Sequence, residues 1–215
     1  MVSHFLRQVR QARVLLLGAI LLACVAACGT SPSQATKVTH ASGVPAGYSE
    51  FQDKARGYSV ALPSSWTQIN VQSPDAAAIF SAAVKKEPKI AAEFGDNLAA
   101  MAKENMSLLA VGKGGQNANM IVTAASGTAT SAQLASVYPT LASSYAHAGM
   151  NVQGHQLITI DSYPALRIEI SLTISGAQLS ETQFVLEVHS RAYVLTITKA
   201  PAATSSEIAS TLRLD

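Results

Sequence analysis

Strands that come in blocks, rather than alternating with helices, predict an α+β fold for this chain: a largely antiparallel sheet with helices packed on it. Three observations carry that expectation. Four runs near the C-terminus, at about 151–160, 165–175, 178–188 and 192–199, place apolar residues at every second position. Shorter runs around residues 48–71 and 107–124 read as strands broken by turn residues. Between these blocks the apolar spacing changes to that of a helix.

Taken in order, Tyr48–Asp53 alternates and predicts a short strand, with Lys54-Ala55-Arg56-Gly57 as a turn. Tyr58–Leu62 is a second strand, stopped at Pro63-Ser64-Ser65-Trp66, and Trp66–Val71 resumes an extended pattern. Ala76, Ile79, Phe80, Ala83 and Val84 fall on one helical face, with Asp75 in the first turn. Pro88 resets the chain. A second helical stripe follows in Ile90, Ala91, Phe94, Leu98, Met101, Ala102 and Met106. Ser107–Val111 and Asn119–Ala124 predict a hairpin turning at Gly112-Lys113-Gly114-Gly115. Ser131 is placed to cap a helix carrying Leu134, Val137, Leu141, Tyr145 and Ala148, with Gly149 as its stop. Pro139 lies inside that pattern and is expected to kink or shorten it.

The four C-terminal runs predict an antiparallel meander, divided at Asp161–Pro164, Gly176-Ala177 and His189–Ala192. Leu166, Ile168, Ile170, Leu172 and Ile174 make one face of its second strand wholly aliphatic, while Arg167, Glu169, Ser171, Thr173 and Ser175 take the other. Pro201 opens a final helix with Ile208, Ala209 and Leu212 turned inward.

The N-terminal part has a different logic. Arg7, Arg10 and Arg13 precede a 14-residue apolar run, Val14–Ala27, and no acid occurs before it ends. That is the n-region and h-region of a secretory signal, and the run is short of the roughly 20 residues needed to span a bilayer. It closes on Val25-Ala26-Ala27-Cys28, which resembles a bacterial lipobox. Cys28 is therefore the expected lipidation site, its sulfur carrying a diacylglycerol thioether. Cys24 follows the bulky Leu22 and is the poorer candidate. Each buried CH₂ contributes about 0.8 kcal/mol, so two or three acyl chains anchor stably. The expected organisation is a signal peptide over 1–27, a lipidated N-terminus and flexible tether over 28–47, and one domain over 48–215. Residues 29–47 (GTSPSQATKVTHASGVPAG) hold too little apolar surface to offset the entropy of ordering.

Composition narrows the function classes. Loss of Arg7, Arg10 and Arg13 takes the 15 basic residues to 12 against 13 acids, a net charge of −1. That argues against nucleic acid and against a polybasic membrane patch. Cleavage before Cys28 removes Cys24 and consumes the other thiol, so disulfide, Cys–zinc and cysteine-nucleophile chemistry is not expected. His40, His147, His155 and His189 have no metal-ligand spacing, and no metal or other cofactor is expected. No Gly-x-Ser-x-Gly elbow occurs. Gly112–Gly115 lacks the P-loop spacing and reads as a hairpin turn. Phe80, Phe94 and Met101 suit an apolar groove, with Trp66 as an aromatic platform; ordinary packing of helix on sheet explains the same residues.

Two segments carry a family resemblance. Gly57-Tyr58-Ser59-Val60-Ala61-Leu62-Pro63-Ser64-Ser65-Trp66 is similar to the Gly-aromatic-Ser-aliphatic-x-aliphatic-Pro-x-x-Trp segment of the PsbP-like fold. Tyr163-Pro164-Ala165, Gln183-Phe184, Arg191–Thr196 and the helix at Ser205–Leu214 resemble the end of the same fold. Among lipoproteins the pattern resembles the actinobacterial LpqN/LpqT group, and DcrB more distantly. The resemblance implies an α/β/α sandwich around a twisted, mainly antiparallel sheet, with the helical insert at about 75–106 as a departure from the family. It also implies a non-catalytic binding or assembly module; the lipobox adds the expectation of a lipid anchor on the extracytoplasmic face of the membrane, and a monomer is expected. Such a module is expected to contact envelope proteins or an amphiphilic glycolipid. The alternatives are an envelope hydrolase whose site appears only on folding, or a structural surface antigen without a ligand.

Overall fold

A computed structural model describes residues 36–37, 43–86, 103–174 and 177–215. The expected signal peptide, Cys28, most of the tether and most of the second helical stripe, with Phe94 and Met101, lie outside the described residues. The elements are β1 (Thr36–Lys37), β2 (Tyr48–Asp53), β3 (Tyr58–Pro63), β4 (Thr67–Asn70), α1 (Ala76–Lys86), β5 (Met106–Val111), β6 (Asn117–Ala124) and α2 (Ser131–His147). Then come β7 (Met150–Ile160), β8 (Tyr163–Ile174), β9 (Ala177–Val188), β10 (Arg191–Thr198), α3 (Ala202–Ser210) and β11 (Arg213–Leu214).

The main sheet has eight strands in the order β1-β7-β8-β9-β10-β6-β5-β4, and a smaller one has the order β11-β3-β2. Among the described residues every pairing is antiparallel except β1 on β7, where Thr36 and Lys37 face Ile158 and Thr159. The fold is α+β, as the blocks of strands predict. The meander β7-β8-β9-β10 forms as expected, and β10 closes onto β6 of the earlier hairpin.

Side chains alternate across the main sheet, so each central strand feeds two cores. Tyr193, Leu195 and Ile197 of β10 join one apolar cluster with Tyr58, Leu62, Trp66, Phe184, Ile208 and Leu212. Val194 joins the other, with Leu134, Leu141, Tyr145, Leu166, Ile168 and Ile170. The first cluster lies under α3 and the small sheet; the second lies under α1 and α2. The result is three layers: helices, the main sheet, and a mixed layer of α3 with β11-β3-β2. The aliphatic face predicted for β8 is buried in the second core from Leu166 to Leu172, while Arg167 and Glu169 pair at 2.7 Å on the other face.

Several local expectations change. α2 is capped by Thr130, not Ser131: its side chain accepts from the Gln133 N–H, and Gln133 returns a bond to the Thr130 N–H. Pro139 does not shorten α2, which runs unbroken to His147; Pro139 and Ala135 are exposed, so the Ala135 carbonyl that loses its partner faces water. Tyr163 and Pro164 open β8 instead of lying in the turn. The turn is made by Asp161 and Ser162 alone, at φ 47° and 69°. Met106 opens β5 rather than ending a helix, because Asn105 at φ 62° has already reversed the chain. Ile79 is exposed on α1, where the stripe Ala76–Phe80–Ala83 is narrower than expected. β11 has no signal of its own in the sequence. It is held by pairing with β3 and by Asp161, whose carboxylate accepts from the Leu214 N–H at 2.7 Å.

Gly112, between β5 and β6, is required for its size. Its backbone is extended (φ −107°, ψ −177°), which any residue adopts, but a Cβ there would run into the Trp66 indole. Gly112→Ala should cost about 1–3 kcal/mol by overpacking. Urea melts of the variant and wild type check this, and an unchanged midpoint would place the Trp66 ring elsewhere.

Candidate functional site

Of the residues foreseen for an apolar groove, Phe94 and Met101 lie outside the described residues, and Trp66 and Phe80 lie on opposite faces of the main sheet. Trp66 is buried in the core beneath the small sheet, against Gly112. Phe80, on α1, packs half-buried against the core on the opposite face of the main sheet. His147, His155 and His189, the histidines among the described residues, are also apart. His147 binds its own helix through the Ser143 carbonyl, His155 stacks on Tyr138 with ring centroids 3.5 Å apart, and His189 lies beside Tyr163 and the Asp215 carbonyl. Among the described residues no three metal-ligating side chains cluster.

What the fold does assemble is a small pocket where the loop 125–129 crosses the end of β9 and enters α2. Four hydrogen bonds fix that loop. The Ala125 N–H donates to the Ser190 carbonyl at 2.8 Å, and the Ser190 N–H to Gly127 at 3.2 Å. The Ala129 N–H donates to the Glu187 carbonyl at 2.9 Å, and the His189 N–H to the Thr128 hydroxyl at 3.1 Å. The Thr130–Gln133 capping box then sets the direction of α2. The pocket is open on one side, with a volume of about 180 Å³, lined by Ser126–Ala129, Gln133, Leu134, Val137 and Glu187.

Glu187 is the one ionisable group of that lining. It sits on the helix-facing side of β9, in phase with Leu179 and Val185, and across from Ala192 on β10. Its carboxyl is half-buried and accepts no hydrogen bond among the described residues. Burial alone pushes its pKa above the usual carboxylate range. Sequence reasoning passed over this residue. The available signal was an acid on the inward phase of an otherwise apolar strand face.

The same sheet face carries a buried polar row. Thr196 of β10 faces Asn119 of β6 on one side and Gln183 of β9 on the other, and all three are at most 8% exposed. The Tyr145 hydroxyl on α2 donates to Gln183 Oε1 at 2.5 Å, and burial raises that phenol's pKa far above its ordinary value. Asn119 Oδ1, Thr196 Oγ1 and Gln183 Nε2 have no partner among the described residues.

No family model matches the chain, and no curated protein matches it. Solved structures do. The solution structure of cyanobacterial PsbP from Synechocystis is similar at 10% identity and a TM-score of 0.49, over 83% of this chain and 99% of that one. A crystal structure from Bacteroides thetaiotaomicron is similar at 10% identity and a TM-score of 0.47, over 77% of this chain and 48% of that one. A Pseudomonas aeruginosa protein of unknown function follows at 11% identity and a TM-score of 0.34, over 72% of this chain and 84% of that one. These likenesses concern the path of the backbone and assign no residue a role.

The polar row gives two stability tests of opposite sign, and Glu187 gives a third. Thr196→Val removes an unpaired hydroxyl at nearly constant shape and should leave stability unchanged or raise it by up to about 1 kcal/mol; Gln183→Leu strands the Tyr145 hydroxyl and should cost about 1–3 kcal/mol. Denaturant titration of both checks the pairings. For Glu187 the folded pKa lies above the unfolded one, so ionisation destabilises the fold as pH rises through and beyond the carboxylate range. Glu187→Gln should melt higher than wild type at pH 7, with the gain shrinking as pH falls below the carboxylate range. A gain independent of pH would remove ionisation as its cause.

Proposed function

We propose that this chain is a lipid-anchored module of the cell envelope that binds or assembles other envelope components without chemical conversion. The observation that carries the reading is the N-terminal pattern: three arginines, an apolar run too short to span a bilayer, and Cys28 behind Val25-Ala26-Ala27. A soluble domain placed behind such an anchor works at a membrane surface, on partners that share that surface. The α+β architecture agrees with a PsbP-like module of the LpqN/LpqT type. The two partner classes are a neighbouring envelope protein and an amphiphilic glycolipid. Burial of Trp66 in the core, which withdraws it as an aromatic platform for a sugar, favours the protein.

The anchor is tested with Cys28→Ala in an actinobacterial host. The variant should leave the membrane pellet for the soluble extracytoplasmic fraction while keeping the wild-type melting temperature, since acylation acts outside the domain. Retention at the wild-type level would refute lipidation at that sulfur. Cross-linking of the wild-type chain in intact cells, followed by mass spectrometry, should return an envelope component that the released variant loses. Turnover of an ester or glycoside by the purified chain would replace this reading with the hydrolase.

A further inference from the structure

We propose that the Glu187 pocket binds a primary alkylammonium group, with the carboxylate facing the nitrogen and Ala129, Leu134 and Val137 receiving the alkyl stem. The proposal goes beyond the envelope-module reading and needs no part of it. Three features of the pocket select this chemistry.

The first is charge. Glu187 supplies one negative charge, has no hydrogen-bond or ionic partner among the described residues, and is the one ionisable side chain of the lining. A half-buried carboxylate without a counter-charge is stabilised by a cation that enters beside it. One carboxylate balances a monovalent cation. A divalent ion takes six or more oxygen ligands for Ca²⁺, or near-ideal octahedral geometry for Mg²⁺, and the lining offers a single carboxylate.

The second is the mixed wall. Ala129, Leu134 and Val137 would gain nothing from a hydrated inorganic ion but would cover methylene groups. The Thr128 hydroxyl oxygen accepts one bond, from the His189 N–H, and keeps a lone pair that suits an N–H donor of an ammonium beside the Glu187 carboxylate; Gln133 Oε1 already accepts two bonds from Thr130.

The third is size and rigidity. A volume of about 180 Å³ is well below the 300–1,000 Å³ of pockets for larger organic ligands. It fits a short stem with a charged end. The loop is fixed by four hydrogen bonds before any ligand arrives, so little ordering cost remains at binding.

An alkylammonium has two sources: a free small amine, or a lysine side chain of a partner protein. The experiment titrates the full-length chain, purified in detergent, by isothermal calorimetry at constant ionic strength. The probes are n-butylammonium chloride and N-acetyl-lysine methylamide, with n-butanol as the uncharged control. Butylammonium should bind in the millimolar range and butanol at least about tenfold more weakly. Glu187→Gln should weaken butylammonium by about tenfold or more, and Glu50→Gln, an exposed carboxylate on β2, should leave it unchanged. Val137→Phe, which fills the apolar end, should weaken it while Glu187 stays in place. Binding of the lysine derivative as well would identify a protein side chain as the occupant, whereas binding of butylammonium alone would identify a free amine. Equal affinity for butanol, wild-type affinity in Glu187→Gln, or no saturable binding by the wild type would each overturn the proposal. None of those failures touches the anchor or the membrane address.

Discussion

β10 is buried from Ala192 to Thr198, and that two-sided burial sets the rest of the architecture. A strand in the middle of an antiparallel sheet has one face for each neighbouring layer, so both layers must exist. Tyr193, Leu195 and Ile197 require cover on one side, which α3 and the small sheet supply. Val194, with its register neighbours Ile121 and Val185, requires cover on the other, which α1 and α2 supply. Each fully buried side chain of this size contributes about 1.5–3 kcal/mol. The two cores together hold the sheet, and no cysteine lies among the described residues.

The same constraint makes polar residues on these strands consequential. Asn119, Thr196 and Gln183 lie in one row because register places them there, and the helix layer takes their far side away from water. Tyr145 satisfies part of Gln183; the remaining atoms keep a desolvation cost. Glu187 is the charged case of the same situation, two strand positions beyond Val185. There the fold has left a pocket over the carboxylate instead of a side chain against it. A protein seldom leaves a charge half-buried and unpaired for stability's sake, which is why this pocket, and not the aromatic residues, carries the ligand argument.

Tertiary connections also explain why short, weakly signalled pieces are ordered. β11 is two residues long, and its pairing with β3 depends on the Asp161 carboxylate reaching over from the β7–β8 turn. Thr211 hydrogen-bonds both the N–H and the carbonyl of Ala61, tying the end of α3 to the middle of β3. Tyr193 donates to the Arg56 carbonyl and so links the central strand to the β2–β3 turn. Each bond joins residues far apart in sequence, and none has a local pattern to announce it.

Period-two alternation and helical spacing determined most of the elements from the sequence alone. The β7–β10 meander, the aliphatic face of β8 and the positions of α1, α2 and α3 follow from side-chain periodicity, because burial acts on every residue of a regular element at once. The expected anchor at Cys28 is likewise a linear pattern, with no dependence on the fold. Only the tertiary structure decided which strands neighbour each other across the chain, that Trp66 faces Gly112 and not solvent, and that Glu187 opens into a cavity. Those outcomes depend on which distant residue lies opposite a given side chain. Ala192 opposite Glu187, and the loop 125–129 above it, are contacts that periodicity cannot encode, since each depends on strand register and on the path of the connecting loop.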